Sequence, residues 1–391
     1  MDLDLKTRCI HGILDAKDQD VYRAISYPLY LSSTFAHKPT TPDSDFSHDG
    51  VSTGFTYSRQ SNPTRAQLED VITSLEGAAG TVAVSSGMAA ISLVFELFSP
   101  GDHIICTEDL YGGTERLFTE ISIKNGLKVD LVDTTDIANI RQAIRPETKA
   151  LYIETPGNPM MEVTDLAACS ALAKEYGLLL IVDNTFLSPY LQNPISFGAD
   201  LVIHSGTKFL CGHNDVVAGF VCAATQERSD RLHFLVTTIG NALSPFDSWL
   251  LLRGIKTLSV RMERQQENAE KIARWLKEQP KIREVFYAGL PEHPGYAVNQ
   301  AQSRGAGSMI SFHTDTEQTA KTILSKLKLI AFAESLGGTE TLITYPLFQT
   351  HTEVPPETRE RLGITETLLR LSVGLEDVDD LIADLSQALQ S

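Results

Sequence analysis

Leu201-Val202-Ile203-His204-Ser205-Gly206-Thr207-Lys208 is the stretch on which the reading of the fold turns. An apolar run of strand length breaks into two hydroxyl residues, a glycine and a lysine, and Phe209-Leu210 walls the far side. The pattern delivers Lys208 at a strand end, and open parallel sheets bind their ligands in the crevice outside the carboxyl ends of the strands. Upstream, Leu178-Leu179-Leu180-Ile181-Val182 reads as a second buried strand ending in Asp183-Asn184-Thr185. The interval between the two is long enough for one parallel crossover, which brings Asp183 and Lys208 to the same sheet edge. That pairing has a specific use in pyridoxal phosphate chemistry, where a lysine condenses with the aldehyde and an aspartate keeps the pyridine nitrogen protonated so that the ring accepts electrons. A buried ion pair would use the same two residues, so the rest of the chain has to decide.

Outward from this stretch, strands and helices alternate. Thr81–Val84, His103–Cys106, Val129–Val132, Ala150–Glu154, Leu178–Val182, Leu201–His204 and Gly219–Cys222 read as strands, with helical segments such as Ala89–Phe98 and Leu166–Glu175 between several of them. The alternation predicts a doubly wound α/β domain over residues 60–252. A helix beginning near Arg65, with Thr64 as its cap, opens it. Residues 1–59 carry little helical period and many turn formers, Lys38-Pro39-Thr40-Thr41-Pro42 among them, and are expected to lie over the domain or to wrap a partner subunit. Beyond Arg253 the pattern changes. A long charged helix is expected from Ile255 to Lys277, burying Leu258, Met262, Ala269, Ile272 and Leu276 on one face. Strands at Val285–Tyr287, Met309–Phe312 and Ala331–Glu334, with helices at Thr316–Leu327 and Asp377–Leu389, then make residues 253–391 a smaller α+β domain.

Composition narrows the partners. With 42% hydrophobic and 21% charged residues, the 391-residue chain is an ordinary globular protein. A net charge of −17 argues against nucleic acid or an anionic membrane as the main partner. The acidic start, Met1-Asp2-Leu3-Asp4-Leu5, lacks the basic-then-apolar pattern of a signal peptide, so a cytoplasmic protein is expected. The five cysteines are scattered without paired spacing and read as reduced thiols. Cys211-Gly212-His213 resembles half a metal site, yet no second ligand pair answers it, and no metal is expected.

Ser85-Ser86-Gly87-Met88 falls at a strand-to-helix junction, where free amides and the helix dipole favour a phosphate. The hydroxyls of Ser205 and Thr207 and the guanidinium of Arg59 are candidates for the same group. Tyr111, after the next strand, is suited either to cover a flat ring or to pack beside its glycine turn. A P-loop, a dinucleotide-binding G-x-G-x-x-G and a hydrolase G-x-S-x-G are all absent.

Taken together, these motifs resemble the pyridoxal phosphate-dependent Cys/Met metabolism family of trans-sulfuration enzymes: the cystathionine γ-synthases, γ-lyases and β-lyases and the acylhomoserine sulfhydrylases. The likeness runs from His11 to Leu389 through Tyr57-Ser58-Arg59 with Asn62-Pro63-Thr64-Arg65, Ser86-Gly87-Met88-Ala89-Ala90, Asp109-Leu110-Tyr111-Gly112-Gly113-Thr114, Glu154-Thr155-Pro156 with Asn158-Pro159, Val182-Asp183-Asn184-Thr185, His204-Ser205 with Thr207-Lys208, Glu334-Ser335-Leu336-Gly337-Gly338 and Leu369-Arg370-Leu371-Ser372-Val373-Gly374. It implies a fold-type I pyridoxal phosphate-dependent transferase, aspartate-aminotransferase-like, with a mostly parallel central sheet. It also implies that Lys208 is the lysine bound to the cofactor and the catalytic base, that Asp183 partners the pyridine nitrogen, and that Tyr111 stacks on the ring and belongs with Lys208 in catalysis. Gly87, Met88, Ser205 and Thr207 would hold the phosphate, Tyr57 and Arg59 would reach the phosphate of a neighbouring subunit, and Asn158, Glu334, Ser335 and Arg370 would contact the substrate. The arm between His37 and Phe55, with Asp43, Asp45 and Asp49, is longer and more acidic than in the family, and Gly206 replaces a common alanine.

The implied activity is attack at the γ-carbon of a homoserine-derived amino acid, with O-acylhomoserine and cysteine giving cystathionine, in a cytoplasmic homotetramer. Pro245-Phe246-Asp247-Ser248 resembles the synthase and sulfhydrylase branch. Glu334 resembles the γ-acting members, and β-lyases often have tryptophan where this chain has Leu336. Cystathionine γ-lyase, β-lyase and O-acylhomoserine sulfhydrylase are the alternatives within the family, and a cofactor-binding protein without turnover is the alternative outside it.

Overall fold

The computed structural model describes residues 3–12, 24–36, 55–352, 354 and 356–390. The acidic stretch with Asp43, Asp45 and Asp49 lies outside them. Seven strands form the larger sheet: β1 (Gly80–Val84), β2 (His103–Thr107), β3 (Lys128–Val132), β4 (Thr148–Glu154), β5 (Leu179–Asp183), β6 (Leu201–Ser205) and β7 (Gly219–Ala223). Their order is β1-β7-β6-β5-β4-β2-β3. The run from β3 through β2, β4 and β5 to β6 is parallel, whereas β7 lies antiparallel to both β6 and β1. Both faces are buried, which is why these strands are apolar almost throughout. Their alternation supplies two separate cores: Leu180, Val182 and Val202 pack on one side, Ile181, Leu201 and Ile203 on the other.

Five further strands, β8 (Ile282–Phe286), β9 (Met309–Thr314), β10 (Ala331–Phe332), β11 (Leu342–Thr344) and β12 (Leu368–Ser372), form a second sheet in the order β10-β11-β12-β9-β8. Only β10 and β11 run parallel in it. The helix Leu258–Lys277 joins the two bodies. Its first turns bury Leu258 and Met262 in the larger sheet's core, and its later turns bury Ala269, Ile272, Ala273 and Leu276 in the smaller sheet's core. At 1.5 Å per residue, 20 residues are enough to span both.

Four expectations need correction. The long helix does not begin at Ile255, because Pro245–Ile255 is a separate helix capped by Ser244. The chain breaks at Lys256-Thr257, where the Gly254 carbonyl accepts from the Thr257 backbone and hydroxyl and from the buried Arg261 guanidinium. The helix near residue 65 is Pro63–Glu76, and Asn62, not Thr64, caps it, its side-chain oxygen accepting from the amides of Thr64 and Arg65. Proline at the first helical position is preorganised for that start. The strand at Ala331 ends at Phe332, since Ser335 takes a positive φ of 104°. Within the N-terminal segment, Leu5–His11 is helical, with Asp4 accepting from the Lys6 amide and Cys9 buried in the larger core.

Candidate active site

The strand ends converge on a cavity of about 250 Å³ lined by Ser86, Gly87, Met88, Tyr111, Glu154, Asn158, Asp183, Thr185, Ser205, Thr207, Lys208, Glu334, Ser335, Thr350 and Arg370, among others. Cavities of about 290 and 680 Å³ lie elsewhere, but neither is lined by residues from the carboxyl ends of β5 and β6. The parallel register of β5 and β6 places Asp183 opposite Ile203, so the two carboxyl ends open on one side and Lys208 follows three residues after Ser205. Thr185 ties them. Its amide and hydroxyl donate to Asp183 Oδ1 at 3.0 and 2.6 Å, and its oxygen accepts the Ser205 amide at 2.9 Å.

Lys208 Nζ donates to Ser335 Oγ at 3.1 Å. Burial, reinforced by the charge of Arg370 and opposed by Glu334, lowers its pKa to about 8, within reach of a base working near neutral pH. Burial raises the Asp183 carboxyl, and the Thr185 hydrogen bonds pull it back. Glu154, at the end of β4, is raised well above the carboxylate range by burial and by the adjacent Asp183, and its Oε2 accepts the Tyr111 amide at 3.1 Å. Ser86 caps the helix Gly87–Phe95 by accepting the Ala89 amide at 3.0 Å, leaving the first amides of that helix for another acceptor. The approach here is close: a Cβ on Gly87 would stand 3.1 Å from Ser205 Cβ, and one on Gly219 would stand 2.1 Å from the Ser86 carbonyl oxygen. A Cβ on Gly113 would meet the Tyr111 ring at 2.5 Å and Met88 Sδ at 3.2 Å, so that ring and Met88 share one wall.

The opposite wall comes from the smaller sheet. Arg370, in β12, is buried, and its Nη1 donates to Asn158 Oδ1 at 2.6 Å while Nη2 reaches Thr344 Oγ1 at 3.3 Å and the Ser335 carbonyl at 3.4 Å. Burial lowers its pKa to about 10, against the pull of Glu154 and Glu334. Its Nε finds no hydrogen-bond partner among the described residues.

The cavity thus gathers Lys208, Tyr111, Gly87, Met88, Asp183, Ser205, Thr207, Asn158, Glu334, Ser335 and Arg370. Tyr57 and Arg59 stand outside it. Arg59 Nη1 donates to the Thr237 carbonyl at 2.5 Å, its guanidinium lies 5.6 Å from the Tyr57 ring centroid, and Tyr57 is 45% exposed. Glu154, Thr185 and Thr350 are site residues that the sequence reading left without roles. Glu154 carried a usable signal, a carboxylate closing a buried strand as Asp183 does, whereas Thr350 carried none.

A half-buried lysine sharing one cavity with a buried carboxylate at parallel strand ends, with a helix N-terminus and two hydroxyls lining the same cavity, defines a pyridoxal phosphate site. The donor set fits the group: among the described residues Asp183 accepts from the neutral Thr185 amide and hydroxyl and from the Tyr152 hydroxyl, and Gly87, Ser205 and Gly219 leave the backbone close to the cradle. The chain belongs to the Cys/Met metabolism PLP-dependent enzyme family, whose model matches residues 6–390. It is 46% identical over 386 residues to a cystathionine gamma-lyase of Bacillus subtilis, covering 99% of each chain. It is 48% identical over 367 residues to a cystathionine gamma-synthase of Haemophilus influenzae, covering 93% of this chain and 92% of the relative. Among solved structures it is similar to cystathionine gamma synthase from Xanthomonas oryzae pv. oryzae in complex with cystathionine, with a TM-score of 0.94, 38% identity, and coverage of 100% of this chain and 98% of the other. The protein is therefore a pyridoxal phosphate-dependent trans-sulfuration enzyme of the transferase and lyase type, with the α/β fold of its structural neighbours. Among the described residues no helix is long and apolar enough to cross a membrane.

Proposed function

We propose that the enzyme is a cystathionine γ-synthase, joining an O-acylhomoserine to cysteine by replacement at the γ-carbon. The observation that carries this reading is Glu334, which lines the cavity together with Lys208 and Arg370 and acts electrostatically on both. A carboxylate there can orient the amino group of incoming cysteine at the distal end while Arg370 and Asn158 hold the carboxylate of the first substrate.

Bound pyridoxal phosphate supplies an electron sink for carbanion chemistry. Gly87, Met88, Ser205 and Thr207 would hold its phosphate, Asp183 its ring nitrogen, and Tyr111 its face, with Lys208 bonded to its aldehyde. Displaced from that bond by the substrate's own amine, Lys208 Nζ would be free to take the α-proton of the substrate, a role worth about 10² to 10⁴ in rate. Ser335 Oγ orients that amine. Loss of the γ-substituent followed by thiol addition gives the synthase product, whereas loss without addition gives the lyase product.

A γ-lyase is the second reading, favoured by the Bacillus subtilis relative, which matches over 99% of the chain. Tyr57 and Arg59, lying outside their own cavity, support a site shared between subunits of a cytoplasmic homotetramer, with residues 1–59 as an arm, 60–252 as the cofactor domain and 253–391 as the smaller domain. Steady-state assays of O-acetylhomoserine and O-succinylhomoserine, with and without cysteine, and of cystathionine alone, test the proposal. Cystathionine should form from an acylhomoserine and cysteine faster than it is consumed. Faster release of 2-oxobutanoate and cysteine from cystathionine would overturn it in favour of the lyase, and release of pyruvate and homocysteine in favour of β-elimination.

A further inference from the structure

We propose that His351 is a positioning residue for the substrate carboxylate, clamping the backbone of Asn158 so that its side chain presents Arg370 to the cavity. The inference rests on the reading of Arg370 and Asn158 as the carboxylate contacts. His351 does not itself line the cavity. It is 2% exposed, beneath Thr350, which does line the cavity.

Its two ring nitrogens have different partners. Nε2 stands 3.1 Å from the Asn158 carbonyl oxygen, and Nδ1 stands 2.7 Å from Thr350 Oγ1. A carbonyl only accepts, so the ring proton must be on Nε2, and the Thr350 hydroxyl must then donate to Nδ1. Burial, with the positive charge of Arg370 behind it, lowers the His351 pKa to about 4, so the ring stays neutral and this single tautomer persists through the working pH range. The segment is seated firmly, because a Cβ on Gly112 would stand 2.2 Å from the Thr350 carbonyl oxygen, and only glycine permits that approach.

The clamp meets Asn158 on the carbonyl side of its turn. Asn158 lies on a turn whose amides are gathered by Asp109: the Asn158 amide donates to the Asp109 carbonyl at 3.2 Å, and the Met160 amide donates to its carboxylate at 3.2 Å. These bonds fix the amide side of the turn, and His351 fixes the carbonyl side. Asn158 Oδ1 then accepts Arg370 Nη1 at 2.6 Å. Thr350, His351, Asn158 and Arg370 form one hydrogen-bonded chain from the cavity lining to the guanidinium.

The test separates donor geometry from packing with three substitutions in the cofactor-loaded enzyme. His351→Gln places an amide N–H near the position of Nε2, His351→Asn reaches only toward Thr350, and His351→Leu reaches neither. Binding of L-norvaline, an amino acid with no γ-leaving group, and of n-butylamine, which lacks the carboxylate, is measured by calorimetry alongside KM and kcat. The expected result is that Asn and Leu weaken L-norvaline binding and raise KM roughly tenfold, as loss of one oriented hydrogen bond allows, with n-butylamine binding and kcat within about threefold of the parent enzyme and Gln close to it. If either the Asn or the Leu variant is soluble and binds L-norvaline as the parent does, or if both probes weaken equally, the positioning role is overturned. Arg370→Leu is the control: should that variant also keep its L-norvaline affinity, the reading of Arg370 as the carboxylate contact fails, which is a different failure from that of His351.

Discussion

The two walls of the cavity are built differently. The wall that holds Lys208, Asp183 and Ser205 is made at the carboxyl ends of adjacent parallel strands, where Thr185 ties Asp183 and Ser205, two and twenty positions away, although the Lys208 amine itself reaches across to Ser335. The wall that holds Arg370 comes from the smaller, mostly antiparallel sheet, and its principal tie, Asn158, is 212 positions away on the turn that follows β4. The first is set by local strand geometry, the second by how two bodies are apposed. Damage to the first should therefore abolish chemistry without loosening the fold, and damage to the second should appear mainly as weakened and less selective substrate binding.

The largest effect is expected at Lys208. Lys208→Ala should lower kcat by at least about 10³ while leaving the circular dichroism spectrum unchanged, because the general base is lost and little packing goes with it. A variant retaining a tenth of the activity would break the assignment of this wall to chemistry. Arg370→Leu should lower kcat/KM by about a hundredfold, mostly through KM, as loss of a forked charge-assisted contact predicts; an effect confined to kcat would erase the contrast between the walls. Glu334→Ala should cost less, about tenfold in the preference for cysteine over sulfide, which has no amino group to orient. An unchanged preference in competition assays would remove Glu334 from substrate selection.

The remaining two effects are smaller and concern protons. Thr185→Val removes the hydroxyl donor, one of the two Thr185 groups that hold the Asp183 carboxyl down against burial, so the acid limb of kcat/KM should move to higher pH, and thermal stability should fall by about 1 kcal/mol. A limb that stays put or moves to lower pH would contradict this. For Lys208, the folded-state pKa of about 8 lies below the ordinary lysine value of 10.5, so the unfolded chain binds the proton more readily between those values. The stability of the cofactor-free protein relative to Lys208→Met should therefore rise as pH increases from about 8 to 10.5 and be flat below that window. Denaturant midpoints across the range would measure it.

The same contrast explains what could be read from the chain. Lys208, Asp183 and the Gly87 turn were legible because a buried parallel strand is a continuous apolar run, and its end is marked by the first polar or glycine residue. The strands β11 and β12 were missed. Leu342–Thr344 is three residues long, and Leu368–Ser372 is buried although Arg370 interrupts its apolar pattern, so neither offered a clear period. Arg370, Asn158 and Glu334 entered only through family resemblance. The break at Lys256-Thr257 was hidden because the amphipathic face continues across it, and it is the Arg261 guanidinium, buried against the carbonyls of Phe209 and Gly254, that settles the geometry. Thr350 and His351 lie just beyond the short turn Pro346–Phe348, where hydrogen bonding rather than composition makes the structure.

The reversed strand β7 bears on how this enzyme comes into being. Its pairing with β6 closes a short loop from Ser205 to Gly219, but its pairing with β1 joins Val84 to Gly219 and so closes a much longer one. Loop closure carries an entropic cost that grows with the logarithm of length, and contacts of high sequence separation slow folding. The two halves of the phosphate cradle, Ser86-Gly87 on one side and Ser205 with Gly219 on the other, meet only across that long closure. Occupancy of the cradle is thus a report on chain topology: a newly made chain can shape the lysine strand and its hairpin by itself, but it gains a place for an anion only when β1 has joined β7.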